Sequence, residues 1–311
     1  MNIIFMGSAG FGESSLRALV HAGHSILCVV TQPDKKQNRG MRIEATAIKK
    51  VALELGLLVY QPANINASES VSYLQNLKPD LFVVIAYGQK LSQSILDIPK
   101  IMPLNIHASL LPAYRGAAPI NWAIIRGEKT TGLTLMKVTL RMDTGPVLIQ
   151  KPVAILDTDT AESLLVKLSG LSGEILVEGI NRIASGVYSL AQQDETRASF
   201  AVKLKKSHGL IIWNKPALEI INVIRGCVPW PGAFTLYKGK VVKIHKASIV
   251  SYAGFDTMST GQIVHISKDG LVVTAGGGCL LIEKLQMEGK RIISSGEFIA
   301  GYKVNVGDTF G

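Results

Sequence analysis

The sequence predicts a two-part α/β chain, a parallel sheet flanked by helices and then a small β-barrel, and three observations carry that expectation. In the first half, short apolar runs alternate with amphipathic stretches, the pattern of successive βαβ units. Residues 190–208 (LAQQDETRASFAVKLKKSH) are polar and hold no sustained period. Beyond them the runs become short strands separated by Gly and Lys turns. The expected division is an N-terminal Rossmann-like domain over 1–189, a linker over 190–208 and a C-terminal domain over 209–311.

Taken in order, strands are expected at Asn2–Met6, Leu27–Thr31, Leu81–Ala86, Leu104–Ile106 and Leu133–Val138. Between them, Glu13–Val20, Thr46–Leu55, Ser68–Leu77 and Leu91–Leu96 carry apolar residues at helical spacing. The first helix should stop at Gly23, because glycine is favoured just past a helix end. A longer helix is expected over Ala161–Ile183, closed by Gly186. In the last third, strands are expected at Phe234–Tyr237, Val241–Ile244, Gln262–Ser267, Leu271–Ala275 and Cys279–Leu285. Five short strands suit an OB-like barrel. Such barrels often bind oligonucleotides, but a fold does not establish a function.

Composition narrows the class. Hydrophobic residues make up 47% of the 311 and charged residues 18%, a globular balance with material for a core. The N-terminus MNIIFMGSAGF lacks a basic leader, and no stretch approaches the roughly 20 uncharged residues of a membrane helix. A soluble cytoplasmic protein is expected. The cysteines Cys28, Cys227 and Cys279 are odd in number and scattered, which argues against a disulfide framework or a zinc site and for buried thiols. His21 and His24 read as helix-end residues, so no metal is expected. The formal net charge is +10, and residues 200–311 hold 14 basic and 7 acidic residues, which is +7 of it. That balance attracts polyanions, although a merely soluble basic domain fits charge alone equally well.

Two segments bear on chemistry. Gly7-Ser8-Ala9-Gly10-Phe11-Gly12 has the spacing G-x-x-G-x-G rather than the dinucleotide fingerprint, and no acidic residue ends the second strand. It reads as a tight strand-to-helix turn that shapes a substrate cleft. The dense segment runs from Asn105 to Trp122. Asn105 and His107 alternate on a strand and so share a face, and the Pro- and Gly-bearing loop that follows places them at a strand's carboxyl end, where α/β sheets bind ligands. Asp143 lies in a Gly/Pro turn after Leu133–Val138 and is expected at the same edge. Its other reading is an Asx-turn residue that organises its own loop. The three groups suit acyl transfer between nitrogens. An imidazole shuttles the proton, an Asn amide N–H stabilises an oxyanion, and a carboxylate orients the imidazole or stabilises charge.

The segment NIHASLLPAYRGAAPINWAIIRGE closely resembles the folate-dependent formyltransferases. VTQPDKKQNRG (30–40), VVIAYGQKL (83–91), MDTGPVL (142–148), QDETRASFAVKL (193–204) and IRGCVPWPGAFT (224–235) extend that resemblance almost end to end. The last two segments point, within the family, to the branch that formylates methionyl-tRNA. The resemblance implies Asn105, His107 and Asp143 as the catalytic trio. It implies 10-formyltetrahydrofolate as formyl donor, with Tyr87, Gly88, Ser109, Leu110, Leu111 and Pro112 against the folate. It also implies initiator methionyl-tRNA as acceptor, gripped at its end by a basic loop carrying Lys35, Lys36, Arg39 and Arg42, with Gly40 giving that loop freedom. Lys203, Lys205 and Lys206, at the entrance of the basic C-terminal domain, are expected on the tRNA backbone, and a monomer is expected.

There are departures from the family pattern. Ser8-Ala9 stands for Thr-Pro, Val138-Thr139 for Met-Asp, Arg141 for Gly, Ala45 and Ala47 for two prolines, and Ile212 for Asp. Arg141 is the sharpest, since glycine has a backbone freedom that arginine lacks. Three rival readings are a formyltransferase for a nucleotide-linked aminosugar, a formyltetrahydrofolate hydrolase, and a non-catalytic RNA-binding module on an old enzyme scaffold.

Overall fold

Aliphatic runs in the first half become strands, and the central ones are buried on both faces. A computed structural model describes residues 1–37, 42–254 and 257–311. The elements of the first half are, in chain order, β1 (Asn2–Gly7), α1 (Glu13–His21), β2 (Ser25–Val30), β3 (Lys35–Gln37), β4 (Arg42–Glu44), α2 (Ala47–Glu54), β5 (Val59–Tyr60), α3 (Ser68–Asn76), β6 (Leu81–Ile85), α4 (Gln93–Leu96), β7 (Met102–His107), β8 (Arg115–Gly116), α5 (Pro119–Ile125), β9 (Thr130–Lys137), β10 (Val147–Ala154), α6 (Ala161–Ala184) and β11 (Phe200–Ala201). Ile3 to Met6 and Leu81 to Val83 are fully buried, as central parallel strands require. Gly23 follows α1 at φ 77°, the left-handed residue that ends a helix. Thr46 caps α2 by accepting from the Lys49 N–H at 3.1 Å.

Seven strands form the sheet in the order β10-β9-β7-β6-β1-β2-β5. From β7 to β5 all neighbours are parallel. The expectation of a parallel sheet needs correction at one edge: β9 runs antiparallel to β7, and β10 antiparallel to β9. β10 alternates between more and less buried residues and contains Pro152, both traits of an edge strand. The first compact unit comprises Met1–Pro119, Thr130–Ala154 and Leu165–Ala201. Residues 190–201 therefore belong to it. Ala191 bridges Val147 and β11 pairs with β8.

The second unit comprises Ile120–Lys129, Ile155–Leu164 and Val202–Gly311. Its further elements are α7 (Ala217–Gly226), β12 (Ala233–Tyr237), β13 (Lys240–Val250), β14 (Ile263–Ser267), β15 (Gly270–Ala275), β16 (Gly278–Met287), β17 (Ile293–Ser294) and α8 (Ser295–Tyr302). The strands make an antiparallel sheet in the order β12-β13-β16-β15-β14, with β17 on β16. Thr309 bridges Gln262 beside β14 and Phe310 bridges Tyr237 of β12, so the chain's last residues tie both edges. Trp213, Ile220, Val242, Leu280 and Phe298 are among its core residues. Asn121 and Trp122 fold with this unit, donating to the carbonyls of Gly226 at 2.8 Å and Val202 at 2.7 Å.

The three cysteines are buried, and burial pushes the thiols of Cys28 and Cys227 up to about 11. Among the described residues no helix is long and apolar enough to cross a membrane, and no group of His, Cys, Asp and Glu is placed to hold a metal ion.

Candidate active site

The site is built on β7. Its alternation turns Asn105 and His107 to one face, and its ladders with β6 and β9 hold them there. His107 is 6% exposed, and its Nε2 lies 2.9 Å from the Tyr114 carbonyl oxygen. A carbonyl only accepts, so Nε2 carries the proton and donates it. Nδ1 is then the nitrogen free to exchange a proton, and it faces Asp143 Oδ1 at 3.7 Å. That separation is too long for a hydrogen bond but close enough for an imidazolium to feel the carboxylate.

Asp143 reaches this point from an unexpected direction. Because β9 is antiparallel, Lys137 lies opposite Leu104 and the Val138 N–H bonds the Pro103 carbonyl at 2.8 Å. The chain thus leaves β9 near the amino end of β7, not at the carboxyl edge assigned from sequence. The loop 138–146 returns along β7, and its base is tied by the Lys137 N–H on the Pro146 carbonyl at 3.0 Å. Asp143 Oδ2 accepts from the Gly116 N–H at 2.8 Å. Tyr114 and Asp143 are both left-handed, at φ 60° and 56°. Non-glycine residues are rarely found there, and such strain gathers at functional sites. Arg141, whose replacement of glycine raised a question of backbone freedom, is not among the positive-φ residues. The left-handed position of this turn is Asp143 itself.

Two of the cavities on the first unit take in residues expected at the site. One, of about 330 Å³, is lined by Asn105 and Asp143 together with Val84, Gln89 to Leu91, Met136, Val138 to Leu140 and Met142. Sequence reasoning missed most of its walls, although VVIAYGQKL and MDTGPVL bracket them. The other, of about 770 Å³, takes in Ser8, Gln32, Lys35, Thr46, Tyr87 and Gly88. Ser8 there accepts from the Gln32 N–H at 3.1 Å and donates to the Tyr87 carbonyl at 2.9 Å. Its hydroxyl organises the first turn.

The remaining expected residues fall in several places. Tyr87 is buried and with Gly88 borders the larger cleft. Ser109 donates to the Ala113 carbonyl at 2.6 Å. The Leu111 N–H donates to Thr134 Oγ1 at 3.1 Å, and the Leu111 carbonyl accepts from Gln150 at 2.7 Å. Ser109, Leu110, Leu111 and Pro112 line neither cavity, and Thr134, which holds the Leu111 N–H, lies opposite His107 in the ladder. Lys35 donates to Gln32 Oε1 at 3.1 Å. Arg39 and Gly40 lie outside the described residues, and of Lys36 and Arg42 only the backbone is described. Lys203, Lys205 and Lys206 are exposed on the second unit.

Known proteins match throughout. Residues 1–180 match the formyl transferase family and residues 203–303 its C-terminal domain. A methionyl-tRNA formyltransferase of Geobacter metallireducens is 41% identical over 311 residues, covering 100% of this chain and 99% of the relative. One from Thermodesulfovibrio yellowstonii is 43% identical over 309 residues, covering 99% and 98%. Among solved structures, WlaRD, a sugar 3N-formyl transferase, superimposes with a TM-score of 0.67 at 19% identity, over 94% of this chain and 99% of its own. HypX from Aquifex aeolicus in complex with tetrahydrofolic acid gives 0.66 at 16% identity, over 98% of this chain and 48% of its own. At such identities the likeness is one of fold. Matched in both domains and along its whole length, the chain belongs to the formyl transferase family, alongside the methionyl-tRNA formyltransferases.

Proposed function

We infer that the protein transfers the formyl group of 10-formyltetrahydrofolate to the amine of initiator methionyl-tRNA, giving formylmethionyl-tRNA for translation initiation. The observation that carries this reading is identity of 41% across both domains with a methionyl-tRNA formyltransferase. The placement of His107 between Tyr114 and Asp143 supports it. The methionyl amine attacks the formyl carbon, a C–N bond forms, and the carbonyl electron pair moves to oxygen. Asn105 donates to that oxyanion, an interaction worth about 3–4 kcal/mol in comparable sites. His107 Nδ1 takes the proton lost by the amine and passes it to N10 of the folate. The bond to N10 then breaks and tetrahydrofolate leaves. Asp143 stabilises the transient imidazolium.

The cavity of about 330 Å³ beside Asn105 is the place for the donor's reacting end, since its volume falls within the range of small-molecule pockets. Tyr87, Gly88 and Ser109 to Pro112 shape the folate's surroundings. Lys35, Lys36, Arg39 and Arg42 meet the acceptor end of the tRNA, while Lys203, Lys205 and Lys206 meet its backbone, and the protein works as a cytoplasmic monomer without a metal. The deciding experiment incubates the protein with 10-formyltetrahydrofolate and methionyl-tRNA and assays formylmethionine, with a nucleotide-linked aminosugar in a parallel arm. Raising salt should weaken tRNA binding steeply and folate binding little. Formylation of the sugar but not of the tRNA would overturn the reading, and a salt-insensitive tRNA affinity would sink the grip of Lys203, Lys205 and Lys206 on the tRNA backbone.

A further inference from the structure

The tip of the Asp143 turn is held from outside its own loop. The bond from Lys137 to Pro146 ties the loop's two ends, but Asp143 at its tip is left-handed and needs support to stay so. Part of that support is the Gly116 N–H on its carboxylate. The rest comes from Gln193, whose Nε2 donates to the carbonyl oxygens of Asp143 at 2.9 Å and Gly145 at 2.8 Å. Gln193 Oε1 accepts from Arg115 Nε at 3.1 Å and Nη2 at 2.7 Å. The amide can sit only one way round, because a guanidinium only donates and carbonyl oxygens only accept.

Arg115 is itself fixed. It is 2% exposed, and Glu195 meets its outer edge at 3.0 and 2.8 Å. Its N–H donates to the Ser199 carbonyl at 2.8 Å, while the Tyr114 N–H donates to Ser199 Oγ at 2.9 Å. Glu195 also pairs with Arg141 at 3.5 Å, so the residue that departs from the family's glycine joins the same cluster. Segment 193–201 thus grips both walls of the site. One wall is residues 114–116, with the Tyr114 carbonyl on His107 and the Gly116 N–H on Asp143; the other is the Asp143 turn.

We propose that Gln193 is a positioning residue for formyl transfer, its amide oriented by Arg115 so that the Asp143 carboxylate faces His107. It touches no reacting atom and acts through Asp143. This rests on the functional reading above. Two variants test it: Gln193→Met, which removes every bond, and Gln193→Glu, which keeps the acceptor for Arg115 but turns a carboxylate towards two carbonyl oxygens. The parent's formylation of methionyl-tRNA is measured first, and its absence sinks the functional reading and this inference together.

In an active parent, both variants should lower kcat by about 10²-fold, the scale of a misplaced catalytic group, with KM for methionyl-tRNA unchanged. In an Asp143→Asn background the same Gln193→Met change should cost much less, because residues acting as a unit are not additive. Parent-like kcat in a folded variant sinks the inference alone, and so does an equal loss in both backgrounds. If neither variant folds, Gln193 serves folding rather than positioning, which also overturns it.

Discussion

Two arms of the site arrive at the same point by different routes. Asn105 and His107 stand on β7, with backbone ladders to β6 on one side and β9 on the other. Asp143 stands on a loop that leaves β9 at the level of Pro103 and Leu104 and doubles back to within 3.7 Å of His107. The strand-borne pair inherits its aim from backbone hydrogen bonds that the sheet makes in any case. The loop-borne carboxylate depends on bonds to residues 27 and 50 positions away. A ladder positions a group cheaply in sequence terms, whereas a loop needs dedicated partners elsewhere in the chain.

The largest expected effect tests the strand arm. His107→Ala should lower turnover about 10²–10⁴-fold while folate affinity, followed by titration, changes little. Near-normal turnover of the folded variant would break the comparison at its firmer end. Asp143→Asn comes next. It keeps an oxygen for the Gly116 N–H but removes the charge that faces the imidazolium, so turnover should fall roughly 10- to 100-fold, equivalent to about 1.4–2.7 kcal/mol of lost transition-state stabilisation. If stability falls and activity per folded molecule holds, Asp143 only organises its own turn.

A third change separates the loop's shape from its charge. A Cβ on Gly145 would run into the Lys137 carbonyl, so Gly145→Ala should displace the turn and cost about 1–3 kcal/mol in denaturant unfolding, as overpacking does. Turnover should fall with it, and an unchanged kcat would show that the turn tolerates movement. The smallest effect lies in the second unit, where side chains also do what a ladder does not. Asp308 accepts from the Tyr237 hydroxyl at 2.6 Å, from Lys238 at 3.0 Å and from the Asn305 N–H at 3.0 Å.

The Tyr237 hydroxyl, more than the other contacts, holds the Asp308 carboxyl below the usual carboxylate value of 3.8. A depressed folded value stabilises the fold above about pH 3.8, and that contribution is lost as pH falls through the lower folded value. Asp308→Asn should therefore flatten the acid limb of a stability–pH curve and leave the neutral region nearly level. An acid limb identical to the parent's would remove Asp308 from that account.

Much of this was legible in the residues themselves. The runs at 2–6, 27–31, 81–86, 104–106 and 133–138 correspond to β1, β2, β6, β7 and β9, because burial on both faces leaves a continuous apolar signature. The N-x-H alternation was enough to put Asn105 and His107 on one face. The direction of β9 was not legible, since an apolar run reads the same whether its strand is parallel or antiparallel. The polarity of 190–208 suggested a linker crossing between domains. In the first unit its Gln193, Glu195 and Ser199 bind Arg115, Tyr114 and the Asp143 turn, and polar residues spent on such bonds look no different in sequence from solvated ones.

The sequence by itself determined five strands of the first unit with the helices between them, the long helix that starts at Ala161, five strands of the last third, and the family to which the chain belongs. These rest on local periods of 2 and 3.6 residues and on short motifs that need no knowledge of the rest of the chain. Only the tertiary structure decided that β9 turns against β7, that the Asp143 loop must climb back to His107, and that Gln193 stands behind it. Each of those depends on hydrogen bonds between residues far apart in sequence, and no local pattern records such a partner.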